Sequence, residues 1–197
     1  MKKKPAKRRK NQTKKASRKT TKYNELKSVD LLDPGEEDVN GNRYLFTTKD
    51  DYTQWPNVIG IKSKEPVNTA AACKEDARDA GGYADRYRTD NGGEWEKEFD
   101  DELKNRFIKR KKGLPRRPTT DSRHERWHNT LNVGVRALLS ASWMPYKFCT
   151  FAAIFFCFVF ARAVCIPTLE GKTPYEMRYG EPFENLADSP SAVVLSF

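Results

Sequence analysis

Tyr87–Trp95 reads Tyr-Arg-Thr-Asp-Asn-Gly-Gly-Glu-Trp and joins a short alternating segment to a turn. By itself, Asn-Gly after alternating residues is mainly a hairpin-turn signal. Asp90 nevertheless ends the extended segment, and Glu125 follows it early in a helical pattern. Carboxylates at a strand end and on a helix are the oxygen ligands that Mg²⁺ prefers in phosphoryl-transfer sites. The stretch therefore predicts a strand that delivers an acid to a metal site.

Three motifs follow one another along the chain. They are Arg-Thr-Asp-Asn-Gly-Gly-Glu-Trp (88–95), Pro-Thr-Thr-Asp-Ser-Arg-His-Glu-Arg-Trp-His-Asn (118–129) and Gly-Lys-Thr-Pro-Tyr-Glu-Met-Arg-Tyr-Gly (171–180). In this order they resemble the integrase core of copia-type retrotransposons, members of the wider retroviral-integrase group of transferases. The resemblance runs from about Val29 to about Leu186. It implies an α/β fold of the ribonuclease-H-like type, a mixed sheet flanked by helices.

The resemblance also implies the chemistry. The three catalytic acids would be Asp30, Asp90 and Glu125, holding Mg²⁺ or Mn²⁺ while DNA 3′ ends are joined to target DNA by two-metal phosphoryl transfer. DNA and further copies of the chain are the implied partners. The sequence departs from the family pattern at Asp33, where a glycine is usual, and at His124, where a small residue is usual.

The order of predicted elements agrees with this fold class. Three strands at hairpin-like spacing predict an antiparallel meander, and later helices alternate with a fourth strand. The predicted strands are Ser28–Leu32, Arg43–Lys49, Thr53–Lys62 and Tyr83–Thr89. The predicted helices are Val67–Ala80, Glu94–Asn105, Asp121–Ser142 and Phe148–Ala161.

The basic character of the chain is concentrated at its start. Residues 1–27 carry 13 Lys and Arg against one acid, Glu25. Such a composition predicts a disordered tail, residues 1–27, ahead of a core at 28–184 and a C-terminal tail at 185–197. The basic tail is typical of a nucleic-acid-binding arm or a nuclear-import signal, although a solvated tail without a partner stays open. No apolar segment follows it, so we expect a nuclear protein that is not secreted.

A second basic stretch lies between two of the acids. Lys104–Arg117 holds eight Lys and Arg in fourteen positions, together with Gly113 and Pro115. We expect a mobile loop that contacts DNA phosphates in a salt-dependent, sequence-tolerant way, with a merely solvated loop as the alternative. The residues predicted to bind nucleic acid are Lys109, Arg110, Lys111, Lys112, Arg116, Arg117, His128 and Asn132.

The helix that carries Glu125 has a clear apolar stripe. Trp127, Leu131, Val135 and Leu138 step by four, four and three residues and predict its core side. Glu125 lies about 200° from Trp127 around the helix, which predicts that it points away from the core. We expect His128, Asn132 and Arg136 on that same open face.

Other functions compete with this reading. His124-Glu125-Arg-Trp-His128 spells the His-Glu-x-x-His motif of zinc hydrolases, but the chain has only two histidines and so lacks a third His ligand. A decayed or domesticated integrase-like domain that binds nucleic acid without joining strands is the stronger alternative. The altered motif positions at Asp33, Asp121-Ser122 and His124 favour it.

Two remaining features have structural interpretations. Phe148–Ala161 has no charge but falls short of the ~20 residues needed to span a bilayer, so a buried core helix is favoured over a membrane role. Asp50-Asp51 is interpreted as a turn or cap rather than as a catalytic pair. The four cysteines show no Cys-x-x-Cys spacing, which favours reduced thiols over a zinc site.

Overall fold

The computed structural model describes residues 20–112 and 118–184, with side chains for all of these except 118–124. A mixed five-stranded sheet lies at its centre. The strands are β1 (Lys27–Leu32), β2 (Tyr44–Asp50), β3 (Pro56–Ile61), β4 (Arg86–Thr89) and β5 (Lys109–Lys112), in the order β3-β2-β1-β4-β5. β1 to β3 form the predicted antiparallel meander, whereas β4 and β5 add in parallel beside β1. The predicted ribonuclease-H-like class is confirmed.

Five helices flank the sheet. They are α1 (Pro66–Ala80), α2 (Glu98–Lys104), α3 (Pro118–Ala141), α4 (Cys149–Ala163) and α5 (Pro174–Tyr179). Local sequence explains their ends. Gly81 closes α1 in the left-handed region at φ 79°, where glycine carries no Cβ penalty. Thr173 and Glu176 form a reciprocal capping box at the start of α5.

Each face of the sheet has its own apolar core. One face packs against α1 and α2, around the fully buried rings of Phe46, Trp95 and Phe99. We call it the closed face. The opposite face packs against α3 and α4, where Trp127 and Leu131 meet β1 to β3. We call it the site face, because Asp30 lies on it. The alternation of side chains along each strand separates the two sets.

The Phe-rich helix α4 is buried on one side only. Tyr146–Ala163 is long and apolar enough to cross a membrane by length and composition, yet 39% of it is buried inside the protein. The buried residues, including Ala153 and Cys157, belong to the core beneath α3. This agrees with the core helix predicted from the sequence. Phe151 and Ile154 stay about half exposed on the other side.

Three predicted boundaries were wrong. Residues 109–112 form an edge strand, not part of a mobile loop, because they pair in parallel with β4. The helix predicted from Glu94 to Asn105 is split into a short 3-10 helix, Gly93–Trp95, and α2, since Lys97 between them has a positive φ of 46°. Residues 20–26, assigned to the tail, pack on the fold, and Leu26 is 3% exposed. Residues 1–19 lie outside the described part.

Candidate active site

Asp30 and Asp90 come from neighbouring parallel strands. Lys27 pairs with Tyr87 and Ser28 with Arg88, and Asp30 and Asp90 each follow this pairing by two residues. Adjacent strands lie about 4.8 Å apart, and residues in register point to the same face. Continued by two residues past the paired positions, this register would set Asp90 opposite Asp30.

Local hydrogen bonds hold each of these two carboxylates. Asp30 Oδ1 accepts from the backbone N–H of Leu31 at 2.8 Å. Asp90 Oδ1 accepts from the indole N–H of Trp95 and from the backbone N–H of Gly92. The Asn-Gly-Gly turn and the 3-10 helix after it thus fold back on Asp90. Because Trp95 is fully buried in the closed-face core, Asp90 is anchored to the fold.

Glu125 lies on α3, the helix that contacts β1 and β2 through His128. Its side chain is exposed, as the helical pattern predicted. His128, three residues later, lies on the neighbouring position of the same helix face and touches the sheet at Asp30 and Thr47. Glu125 therefore lies about one turn before the residue through which α3 contacts Asp30.

Oxygen ligands of this type suit Mg²⁺ or Mn²⁺. Asp30, Asp90 and Glu125 offer carboxylates alone, and they come from β1, from the turn after β4 and from α3. Within residues 20–112 and 118–184, however, no three His, Cys, Asp or Glu side chains are placed to hold one metal ion. The chemistry of the donor set fits such a cation, and its side chains are not already gathered around a common point.

His128 does not lie on the open face of α3. Its side chain is 15% exposed, with Nε2 3.1 Å from Thr47 Oγ1 and Nδ1 3.9 Å from Asp30 Oδ2. Burial lowers the pKa of His128 to about 4, so the imidazole is neutral at pH 7. The helical projection misplaced it because His128 is only about 100° from Trp127, at the border of the apolar stripe. A direct DNA contact by His128 is at odds with this burial, while Asn132 is half-buried.

The basic residues of β5 that were predicted to bind nucleic acid separate into two groups, one on each face of the sheet. Lys109 and Lys111 pair with Arg86 and Arg88 of β4 and share the site face with them. Both lysines are exposed, and burial together with Arg86 and Arg88 lowers the pKa of Lys111. The ammonium groups of Lys109 and Lys111 are therefore the exposed positive charges of this edge strand on the site face.

The other two β5 cations face the opposite way. Arg110 is bound to Asp100 of α2 at 2.7 Å and its side chain is 6% exposed. Lys112 Nζ lies 3.8 Å from Glu96. Alternation along the strand explains the division, because successive side chains of a strand point to opposite faces. Arg116 and Arg117 lie outside the described residues.

Three residues of the site face were missed by sequence reasoning. Thr47 on β2 contacts both Asp30 and His128. Arg86 and Arg88 on β4 form ion pairs with Glu25 at 2.6 Å and with Asp51 at 3.0 Å. Alternation along β4 could have indicated the two arginines, since they flank Tyr87 and precede Asp90 on one face.

Asp50 and Asp51 have the structural roles that the sequence analysis assigned to them. Asp50 is fully buried and accepts hydrogen bonds from the backbone and hydroxyl of Thr53 and from the backbone of Asn24. Asp51 pairs with Arg88. The predicted turn role therefore fits Asp50, whereas Asp51 forms an ion pair across the sheet instead.

Solved structures with this fold include retroviral integrase catalytic cores. The chain is similar to the HTLV-2 integrase catalytic core solved in complex with magnesium in a trimeric form, with a TM-score of 0.64 and 16% identity over 80% of this chain and 98% of that one. It is similar to a chain of the simian T-cell lymphotropic virus intasome in complex with PP2A regulatory subunit B56 gamma, with a TM-score of 0.70 and 16% identity over 87% and 60% of the two chains.

The BIV integrase catalytic core domain is a third such structure, with a TM-score of 0.61 and 15% identity over 80% of this chain and 95% of that one. No protein-family model and no curated protein matches the sequence. At sequence identities of 15–16%, the similarity to these structures shows the fold of this chain alone. The chain has the ribonuclease-H-like fold of retroviral integrase catalytic cores.

Proposed function

We propose that this chain is an integrase-like polynucleotidyl transferase that joins DNA 3′ ends to target DNA, and that it is of the copia retrotransposon type. The observation that supports the proposal most is the parallel pairing of β1 and β4, whose continuation by two residues would set Asp90 opposite Asp30. The fold and the order of the three sequence motifs support it. An origin in a retrotransposon and a nuclear location are part of the same proposal.

The roles of the three acids follow from their positions. Divalent cations would supply Lewis-acid stabilisation of the charge that develops on the phosphate and would lower the pKa of the attacking hydroxyl. Asp30 and Asp90 would hold them at the sheet edge, where Trp95 and Leu31 fix the two carboxylates. Glu125, on the exposed side of α3, would supply the third carboxylate ligand.

Lys109 and Lys111 would hold the DNA backbone beside the acids. Both are exposed and lie on the site face of β5, with Arg86 and Arg88 alongside. Contacts between ammonium groups and phosphates release counterions and carry no base information. Binding is therefore expected to be sequence-tolerant and to weaken steeply with salt.

Replacing Lys111 tests this DNA surface. Lys111→Ala should weaken binding to duplex DNA and reduce the slope of log K against log salt by about 0.9, the value for one lost phosphate contact. Lys62→Ala is the matched control, because Lys62 is exposed directly after β3, at the opposite edge of the sheet. Equal salt slopes for Lys111→Ala, Lys62→Ala and the unchanged protein would contradict this surface.

The catalytic role is tested by strand transfer with Mg²⁺ or Mn²⁺ on a model DNA end. Asp90→Asn keeps the side-chain shape but removes the charge, and should lower the rate at least about a hundredfold, as the loss of one transition-state-stabilising group does. Asp79→Asn, on the exposed side of α1, is the control and should keep the rate. Equal rates for the unchanged protein and Asp90→Asn would refute catalysis at this site.

A second candidate is an integrase-like domain that binds DNA without joining it. The hydrogen bonds of Asp90 favour this alternative, because Oδ1 is already engaged by Trp95 and Gly92. The altered motif positions, Asp33 and His124, agree with it. Salt-dependent DNA binding without strand transfer under either cation would establish this candidate over the first.

We further propose that a second copy of the chain covers the exposed side of α4. Phe151 is 49% and Ile154 48% exposed, and both project from the same helix. Related HTLV-2 cores were solved as a dimeric and a trimeric form, which supports a partner of this kind. Phe151→Glu with Ile154→Glu should convert an oligomer into a monomer by sedimentation. A monomeric unchanged protein, or binding to lipid vesicles that these two replacements abolish, would overturn the proposal.

A further inference from the structure

Aromatic rings surround two arginines where α5 packs against the turn between β2 and β3. The guanidinium carbon of Arg178 lies 4.3 Å from the ring centre of Tyr23 and 4.4 Å from that of Trp55. The ring centre of Tyr179 lies 5.0 Å from the same carbon. Arg162, near the end of α4, lies 5.6 Å from the ring centre of Trp55. We call these five residues the aromatic–arginine surface.

Neither guanidinium forms an ion pair with a carboxylate among the side chains of residues 20–112 and 125–184. Burial lowers the pKa of Arg162, and the positive charge of Arg178 also lowers it. Arg162 Nε is buried without a hydrogen-bond partner in the same part of the chain. Two positive charges therefore share one surface, where aromatic rings rather than acids surround them.

Arg178 is arranged to bind an anion. Contact with aromatic rings holds a guanidinium in place without neutralising its charge. Its N–H donors form a planar fork that matches the oxygens of a phosphate. Arg162 Nη1 donates to the carbonyl of Phe158 at 3.1 Å, whereas Arg178 donates to no acceptor within the described side chains and backbone. The donors of Arg178 are therefore open to a ligand.

Tyr179 supplies an exposed ring beside this guanidinium. It is 51% exposed at the end of α5, and the rings of Tyr175 and Trp55 hold it from the inside at 4.6 and 5.9 Å. Proteins bind single-stranded nucleic acids by stacking bases on such rings while nearby cations contact the phosphates. A duplex keeps its bases stacked and paired, so an exposed ring of this kind favours an unpaired strand.

The aromatic–arginine surface is separate from the proposed catalytic acids. β1 begins at Lys27, which pairs with Asp50 at the end of β2. Because Trp55 lies in the turn that follows β2, the surface lies at the end of the sheet where β1 begins. Asp90 instead follows the end of β4, which runs parallel to β1. β5, with its exposed lysines, is the edge of the sheet opposite β3.

We propose that the aromatic–arginine surface binds a single-stranded nucleic acid, with an unpaired base stacked on Tyr179 and a phosphate bound by Arg178. Charge complementarity favours this occupant, because the described side chains provide no carboxylate partner for either arginine. Tyr23 and Trp55 are positioning residues, since their rings hold the Arg178 guanidinium. This binding is additional to strand transfer and does not depend on it.

Oligonucleotide binding tests the stacking role of Tyr179. The full-length chain is titrated into a labelled oligothymidylate of about 12 nucleotides, within the about 4–16 nucleotides that stacking domains cover. By fluorescence anisotropy, Tyr179→Ala should weaken binding about tenfold, as the loss of one stacked base does. Trp143→Ala is the matched control, because it removes a ring that is 95% exposed after α3, and should keep the affinity. Equal affinities for Tyr179→Ala and the unchanged chain would overturn the proposal.

An abasic oligonucleotide of the same length distinguishes base contacts from phosphate contacts. It should bind the unchanged chain more weakly than oligothymidylate does, and Tyr179→Ala should not weaken it further. Arg178→Lys keeps the charge but loses the planar fork, so it should weaken the binding of both oligonucleotides by a similar factor. If the unchanged chain binds both oligonucleotides equally, no base is stacked and the proposal is wrong.

Photocrosslinking provides a readout on the unchanged chain. Iodouracil in the oligonucleotide crosslinks to aromatic side chains that it contacts on irradiation, and mass spectrometry identifies the crosslinked peptide. We expect crosslinks at Tyr179 or Trp55. Crosslinks found only elsewhere, such as at Phe107 beside β5, would refute this surface.

An acidic peptide is the competing occupant. Oligoglutamate supplies anions but no bases, so it should displace the labelled strand far less well than unlabelled oligothymidylate of equal charge. Equal displacement by the two competitors would assign the surface to acidic peptides and overturn the proposal.

Duplex DNA distinguishes this surface from the one proposed on β5. Tyr179→Ala should leave duplex binding unchanged, whereas Lys111→Ala should weaken it. An equal loss of single-strand and duplex binding in Tyr179→Ala would show that Tyr179 only supports the fold, and would contradict its stacking role.

Discussion

Two lysines on adjacent strands show how differently the two faces of the sheet are built. Lys27 of β1 lies on the closed face, is 3% exposed and donates to Asp76 of α1 at 2.7 Å. Lys49 of β2 lies on the site face, with its ammonium 4.6 Å from the ring centre of Trp127 and 5.6 Å from that of Phe160. A buried carboxylate neutralises the first charge, whereas aromatic rings cover the second.

On the closed face, the buried polar side chains around Asp76 form hydrogen bonds with one another. Besides Lys27, Asp76 accepts from Thr48 Oγ1 at 2.8 Å and from Asn57 Nδ2 at 3.0 Å. On the site face, Asp30 and Thr47 of the sheet instead lie close to His128 of α3. One face therefore stabilises the fold through a buried ion pair and its hydrogen bonds, while the other brings polar groups of β1, β2 and α3 together.

The largest expected effect comes from breaking the closed-face pair. Asp76→Ala leaves the Lys27 charge buried without its counterion and should lower the free energy of unfolding by about 3–5 kcal/mol. Urea denaturation measures the change. Asp79→Ala, one turn further along α1 and exposed, is the control and should stay within about 0.5 kcal/mol.

Removing both charges distinguishes the contribution of the ion pair to stability from that of the packing around it. Lys27→Met with Asp76→Leu should recover most of the stability that Asp76→Ala loses, because no unpaired charge stays buried. A loss below about 1 kcal/mol in Asp76→Ala would mean that the closed face does not depend on this ion pair.

A middle-sized effect is expected where α3 meets α4 on the site face. A Cβ atom at Gly134 would lie 2.1 Å from the ring of Phe156, far inside van der Waals contact. Gly134→Ala gains about 1 kcal/mol in helix propensity but forces a packing change of about 1–3 kcal/mol. We expect a net loss of about 1 kcal/mol, measured by thermal unfolding.

Phe156→Leu provides the test of that close approach. In a double-mutant cycle, Gly134→Ala should be less destabilising when residue 156 is Leu, since the smaller side chain makes room for the added methyl group. Stabilisation by Gly134→Ala alone would contradict the tight helix contact.

The two faces also differ in what the sequence revealed. Alternation in β1 to β3 and the apolar stripe of α3 predicted the meander and the helix of Glu125. β5 could not be recognised, because Lys109–Lys112 has no apolar alternation and becomes a strand only by pairing with β4. The sequence identified charged residues but not their partners, since Lys27 meets Asp76 across 49 positions.

Like the fold, the candidate site could be predicted from the sequence only in part. Motif order indicated Asp30, Asp90 and Glu125 as the acids, and the first two lie on β1 and directly after its parallel neighbour β4. Thr47 and the inward position of His128 were not accessible, because both depend on how α3 is rotated against the sheet. A rotation of this kind is set by side-chain packing around Trp127 and Leu131, which periodicity alone does not resolve.

The last expected effect concerns Lys49, and the sign of the stability change shows whether burial or the aromatic rings contribute more. Burial lowers the pKa of Lys49 from 10.5 to about 8. Between these values the unfolded chain holds a proton that the folded protein has lost, so stability rises as pH increases through this range. At pH 7 the charged form is therefore disfavoured by about 3 kcal/mol from burial, and the rings of Trp127 and Phe160 return about 1–2 kcal/mol.

Lys49→Met keeps the apolar stem of the side chain and removes the charge. We expect the free energy of unfolding at pH 7 to rise by about 1 kcal/mol, the difference between the burial and ring contributions. The increase of stability between about pH 8 and pH 10 should also become smaller. Lys62→Met, at an exposed position, controls for both measurements. If Lys49→Met destabilises the protein at pH 7, the rings outweigh burial, and the site face neutralises its lysine as effectively as Asp76 neutralises Lys27.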